Sequence, residues 1–189
     1  KGKWASDFFK NENPLILELG CGKGEYTVNL GRKYPDRNFI GLDIKGARMW
    51  KGAKTSVDEG LKNIAFLRTQ IELIEHYFGQ DEVSEIWIAF PDPQPRSPKI
   101  KKRLTSPEFL DRYKNILKPG GIIHLKTDNE MLYEYTLEVI KKSGHNLIYK
   151  TEDLYNSGLQ EDVVLVRTFY EKMWMEEGRK IHYLKFQLS

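Results

Sequence analysis

Five short apolar runs, separated by stretches of helical spacing, constrain this chain more than any other feature. They are Leu15-Ile16-Leu17-Glu18-Leu19, Asn38–Asp43, Asn63–Leu67, Glu85–Phe90 and Ile122–Lys126. Each is short enough for a buried strand, and glycine, proline or a polar residue closes it. Helical spacing follows at 24–33, at about 45–59 and at about 129–142. Two further strand candidates lie near 146–151 and 180–188. Strands and helices in alternation predict an α/β fold: a mostly parallel, seven-stranded sheet with helices on both faces. In such sheets ligands bind beyond the carboxyl ends of the strands. The residues that follow strands one, two, four and five are therefore where chemistry is expected.

The first strand runs into Glu18-x-Gly20-x-Gly22-x-Gly24. The glycines allow a sharp turn and a close approach of backbone to ligand. The spacing is not the G-x-G-x-x-G of a dinucleotide site, where a helix N-terminus holds a pyrophosphate. An acid stands two positions ahead of the glycines and would repel a pyrophosphate. It suits a cationic ligand instead, and S-adenosylmethionine carries an ammonium and a sulfonium. The second strand ends in Asp43, where a carboxylate can accept the two ribose hydroxyls. Gln70 follows the third strand, where spacing leaves two readings open: a residue that starts a helix, or an amide that hydrogen-bonds the adenine amine. Glu18, Gly20, Gly22, Asp43 and Gln70 are the expected cofactor residues.

The fourth strand ends in Phe90-Pro91-Asp92-Pro93-Gln94-Pro95-Arg96. Three prolines in five residues stiffen the turn. A stiff turn at a strand end holds one carboxylate, Asp92, in a fixed place. The stretch 96–103 then carries five basic residues and no acidic one: Arg96, Lys99, Lys101, Lys102 and Arg103. The whole chain has 30 basic and 27 acidic residues, so without this stretch it would be slightly acidic. A local basic patch of this kind suits a polyanion such as nucleic acid. The fifth strand ends in Lys126-Thr127-Asp128.

These motifs, in this order, resemble the bacterial tRNA (guanine-N7)-methyltransferases. The likeness begins at Lys1-Gly2-Lys3-Trp4 and runs through the glycine loop, Phe90-Pro91-Asp92-Pro93 and Lys102-Arg103-Leu104. It continues through Lys126-Thr127-Asp128-Asn129 and ends with Thr168-x-Tyr170-Glu171 and Gly178. It implies a class I methyltransferase fold of Rossmann-like type, in one domain over 1–189. It implies methyl transfer from S-adenosylmethionine to N7 of a guanine in the variable loop of tRNA. Glu18, Asp43, Gln70 and Asp92 would line the cofactor pocket, with Asp92 at the reacting methyl. Arg96, Asp128, Thr168, Tyr170 and Glu171 would contact the tRNA or its target guanine. Lys99, Lys101, Lys102 and Arg103 would meet phosphates. Where this family usually has tryptophan, lysine and aspartate, this chain has Gln94, Arg96 and Gln70. Ser97-Pro98-Lys99-Ile100 replaces an arginine- and histidine-rich loop.

Other readings remain at this stage: a methyltransferase for another RNA, a protein or a small molecule, or a non-catalytic RNA-binding module on the same fold. The expected partner is tRNA, without membrane or metal, for a monomer or homodimer. No apolar run approaches the about 20 residues that span a bilayer. The lone Cys21 excludes an internal disulfide and fits a reducing cytoplasm. His76, His145 and His182 show no metal-ligand spacing, and His124, in an apolar strand, is expected in the core. Trp4, Phe8 and Phe9 are expected to dock the N-terminal segment.

Overall fold

The computed structural model describes residues 1–160, 163 and 166–189; at 169 and 170 only the backbone is described. Seven strands form one sheet in the order β3-β2-β1-β4-β5-β7-β6. They are β1 (Leu15–Leu19), β2 (Asn38–Asp43), β3 (Ile64–Arg68), β4 (Val83–Ala89), β5 (Leu117–Thr127), β6 (Asn146–Thr151) and β7 (His182–Gln187). Among the described residues the α-helices are α1 (Glu25–Lys33), α2 (Gly46–Asp58), α3 (Ile74–Tyr77), α4 (Pro107–Lys114), α5 (Glu130–Lys142) and α6 (Phe169–Glu176). By contacts the chain divides into two compact units. One holds Lys1–Trp87 with Arg112–Gly121, and the other Ile88–Asp111 with Ile122–Ser189.

In the first unit β1 pairs in parallel with both β2 and β4, and β2 with β3. The chain leaves β1 for β2 and β3 on one side, then returns to place β4 on the other. The loop after β1 thus sits at a topological switch point, where open α/β sheets bind ligands. The five residues of β1 are all buried, as its mostly apolar run predicts for a central parallel strand. Leu17, Leu19, Ile40, Leu42, Ile74, Phe78, Val83 and Ile86 are buried around it. The N-terminal segment docks as expected through Trp4. Its indole donates to Tyr77 O at 3.0 Å and stacks on Phe78, while its backbone N–H donates to Glu82. Phe9 is buried with it, whereas Phe8 faces solvent.

In the second unit β7 runs antiparallel to both β5 and β6. This brings the start of β7 to the same edge as the ends of β5 and β6. Ile123, Leu125, Leu132, Tyr133, Tyr183, Leu184 and Phe186 form the core. His124 is in that core, its Nδ1 2.7 Å from the Tyr183 hydroxyl. Lys118-Pro119-Gly120-Gly121 lies inside β5, with Gly120 at φ +75°. Among the described residues no helix is long and apolar enough to cross a membrane.

Candidate active site

The loop after β1 is a chain of left-handed turns. Gly20, Gly22 and Gly24 take φ +73°, +53° and +71°, which side chains rarely adopt. A Cβ on Gly20 or Gly22 would meet nothing within 4 Å, so open space faces the backbone there. A Cβ on Gly24 would strike the Phe66 ring at 2.4 Å, so this glycine is required by packing as well. Asp43 ties the loop in place: Gly22 N–H donates to Oδ2 and Lys45 N–H to Oδ1, both at 2.8 Å. Each carboxylate oxygen keeps a second lone pair, so hydroxyls can still be accepted. Gln70 is exposed just beyond β3, and Thr69 N–H donates to Asp43 O at 3.1 Å.

Glu18 is buried behind this loop. Its Oε2 accepts the Thr27 N–H at 2.8 Å and the Thr27 hydroxyl, anchoring the first turn of α1. Burial lifts its pKa to about 7 against the pull of the two Thr27 bonds, and the charges of Glu25 and Asp43 add to the rise. A carboxylate so placed gains from a cation brought beside it. The open glycine backbone and the pair of acids therefore fit S-adenosylmethionine and disfavour a phosphate-bearing ligand.

In the second unit, the turn after β4 is strained. Phe90 and Gln94, neither a glycine, take φ +51° and +46°. Each such residue costs on the order of 1–3 kcal/mol and persists where its surroundings hold it. Two restraints are visible. Phe90 N–H donates to Lys126 O at 2.8 Å. Arg103 donates from Nε to Pro93 O at 3.1 Å and from Nη2 to Gln94 O at 3.2 Å, with its guanidinium over the Tyr135 ring. Asp92, between these restraints, is exposed, and its Oδ1 accepts the Gln94 N–H at 3.0 Å.

Arg103, one of the four residues expected to meet phosphates, is 5% exposed and braces the turn in the ligand-free fold. Sequence shows the charge but not the direction in which it points. Arg96, Lys99, Lys101 and Lys102 are exposed, on or beside the 3-10 helix Ser97–Lys102. Lys101 also lies 3.4 Å from Glu108.

Asp128, just past β5, lines a cavity of about 340 Å³ with Glu130, Glu152, Arg179, Lys180 and His182. Its Oδ2 accepts from Arg179 Nη1 at 3.1 Å. Arg179 and Glu152 carry no sequence motif; they become visible only when β6 and the start of β7 reach this edge.

Thr168 and Glu171, expected as substrate contacts, stand at the start of α6. They form a capping box on α6: the Thr168 hydroxyl accepts the Glu171 N–H at 3.3 Å, and Glu171 Oε2 accepts the Thr168 N–H at 3.2 Å. The Glu171 side chain is fully buried, its Oε1 2.5 Å from Lys126 Nζ. Burial pushes the Lys126 pKa down to about 8, against the opposing pull of Glu171. Glu171 thus faces a buried lysine in the ligand-free fold. The Tyr170 side chain lies outside the described residues.

Residues 12–184 match the model of the family described as "Putative methyltransferase". A protein of Christiangramia forsetii named tRNA (guanine-N(7)-)-methyltransferase is 57% identical, over 100% of this chain and 85% of its own length. One of Bacteroides fragilis with the same name is 54% identical, over 100% of this chain and 74% of its own length. The chain belongs to the tRNA (guanine-N7)-methyltransferase family. Among solved structures the 16S rRNA methyltransferase KamB is similar, with a TM-score of 0.73 and 17% identity over 97% of this chain and 92% of that one. At that identity the likeness speaks for the class I methyltransferase fold.

Proposed function

We propose that this protein transfers a methyl group from S-adenosylmethionine to N7 of a guanine in the variable loop of tRNA, in the cytoplasm. The observation that carries this reading is likeness over the whole chain to relatives named tRNA (guanine-N(7)-)-methyltransferase, 57% identical in one case. The site chemistry supports it. Glu18, Asp43 and the open glycine loop offer negative charge and backbone access to a cationic cofactor, and Gln70 offers an amide to its base. When bound, S-adenosylmethionine supplies an activated methyl on a positively charged sulfur.

Guanine N7 has a free lone pair and no proton to lose, so no general base is required. The demand on the protein is alignment and exclusion of water, which can supply much of a rate enhancement. Asp92, on a turn held by Arg103 and Lys126, is suited to favour the positive charge that develops on the methylated base. Asp128 is suited to accept the N1–H and exocyclic amine of guanine, as carboxylates do at base edges. Arg96, Lys99, Lys101 and Lys102 are suited to phosphates, which position RNA without reading its sequence.

The test is direct. An unmodified tRNA transcript is incubated with the protein and methyl-labelled S-adenosylmethionine, then digested and analysed by mass spectrometry. Label in 7-methylguanosine from the variable loop is expected. Label on another base, or none in RNA, overturns the reading.

A further inference from the structure

Lysine is rarely fully buried, yet the Lys126 side chain has no exposure at all. Besides Glu171, its Nζ lies 2.7 Å from Val163 O, 3.3 Å from Val166 O and 3.1 Å from the Tyr155 hydroxyl, so four acceptors share its three N–H. The Tyr155 hydroxyl donates in turn to Glu171 Oε1. One ammonium therefore gathers the turn after β6, the residues leading to α6, and the first turn of α6.

The same residue also holds the start of the Pro-Asp-Pro turn. Its carbonyl accepts the Phe90 N–H, and the Phe90 ring lies 5.9 Å from Nζ. That ring packs at 4.8 Å on Trp174, three residues along α6 from Glu171. Phe90 is one of the two strained residues of the turn. A buried ion pair adds little net stability compared with well-packed apolar residues of similar volume. What it does supply here is one definite arrangement, because any displacement of α6 strands two buried charges.

We propose that Lys126 is a positioning residue: through Glu171 and Phe90 it locks the Phe90–Gln94 turn against α6 and so sets where Asp92 is held. The significance for catalysis rests on the methyltransferase reading above; the positioning itself does not.

The test uses the full chain with the double substitution Lys126→Met and Glu171→Met, which removes both charges and keeps the bulk. Amide hydrogen exchange by mass spectrometry is read beside steady-state tRNA methylation. The peptide spanning Phe90–Arg96 is expected to exchange at least about tenfold faster, while peptides within Leu15–Asp43 are unchanged and the protein stays folded. The kcat is expected to fall at least about tenfold with KM for S-adenosylmethionine within about twofold, the signature of lost alignment rather than lost binding. Unaltered exchange at Phe90–Arg96 in the folded double variant overturns the proposal. Should that variant fail to fold, Tyr155→Phe takes its place: it removes the hydroxyl that Lys126 and Glu171 share. Faster exchange of the same peptide is then expected, and none overturns the proposal. If wild-type protein leaves tRNA unmethylated, the functional reading fails while the exchange comparison still judges the clamp.

Discussion

Glu18 shows how one buried carboxylate can make cofactor binding depend on pH. Its pKa stands near 7 in the ligand-free fold because burial disfavours the charged form. A raised acid pKa means that the folded chain holds a proton that the unfolded chain has lost. Between the ordinary value of 4.5 and about 7, this group therefore costs the ligand-free fold stability as pH rises. A cationic ligand selects the ionised form, so binding below that pKa must expel the proton. Affinity for S-adenosylmethionine is expected to rise up to about tenfold per pH unit below 7 and to level off above it. Calorimetric titration from acid to mildly alkaline pH checks this, with Glu18→Gln flattening the profile and weakening binding at the alkaline end. A flat wild-type profile would remove Glu18 from the cofactor site. Asp92 makes the contrasting case. It is exposed and holds a single backbone N–H, so Asp92→Ala is expected to keep its melting temperature and lose turnover. Near-normal methylation by that variant would place the reactive turn elsewhere.

At the scale of elements, strands were legible and short helices were not. The runs at 15–19 and 38–43 match β1 and β2, because a buried parallel strand leaves a mostly apolar signature. Helices α1, α2 and α5 are long enough to repeat a buried face. Helix α3 has four residues and shows no period. Helix α4 did carry a start signal, Ser106-Pro107-Glu108, with proline at its first position. Helix α6 is the instructive case. Thr168-x-x-Glu171 is the sequence form of a capping box, but the resemblance read it as a substrate contact. The structure uses Thr168 for the cap and Glu171 for both the cap and Lys126. Local spacing could reveal the cap; the lysine partner 45 positions earlier could not be seen without the fold. Thr168→Ala is expected to lower unfolding free energy by about 1 kcal/mol, as loss of a helix cap does elsewhere. Urea denaturation checks this. A loss confined to activity, with stability unchanged, would return Thr168 to the substrate.

For the molecule as a whole, net charge is a poor guide to how it meets RNA. The total is only +3, and the sequence places five cations in one stretch. In the ligand-free fold Arg103 turns inward and donates to the Pro93 and Gln94 carbonyls. Four exposed cations remain: Arg96, Lys99, Lys101 and Lys102. If each neutralises one phosphate, the logarithm of tRNA affinity should fall against the logarithm of salt with a slope of about −3 to −4. Lys101→Ala with Lys102→Ala should reduce that slope by about 1.5 to 2. Lys101 is the weaker contributor of the two, because Glu108 lies 3.4 Å from its ammonium and competes for it. Arg103→Ala is expected to behave differently: a nearly unchanged slope but a fall in kcat, since it releases the turn that carries Asp92 rather than a phosphate contact. Filter-binding titrations across a salt series, with kcat measured beside them, separate the two classes. A slope that drops by a full phosphate contact in Arg103→Ala would show that this arginine swings outward to meet RNA and that the brace gives way when tRNA binds.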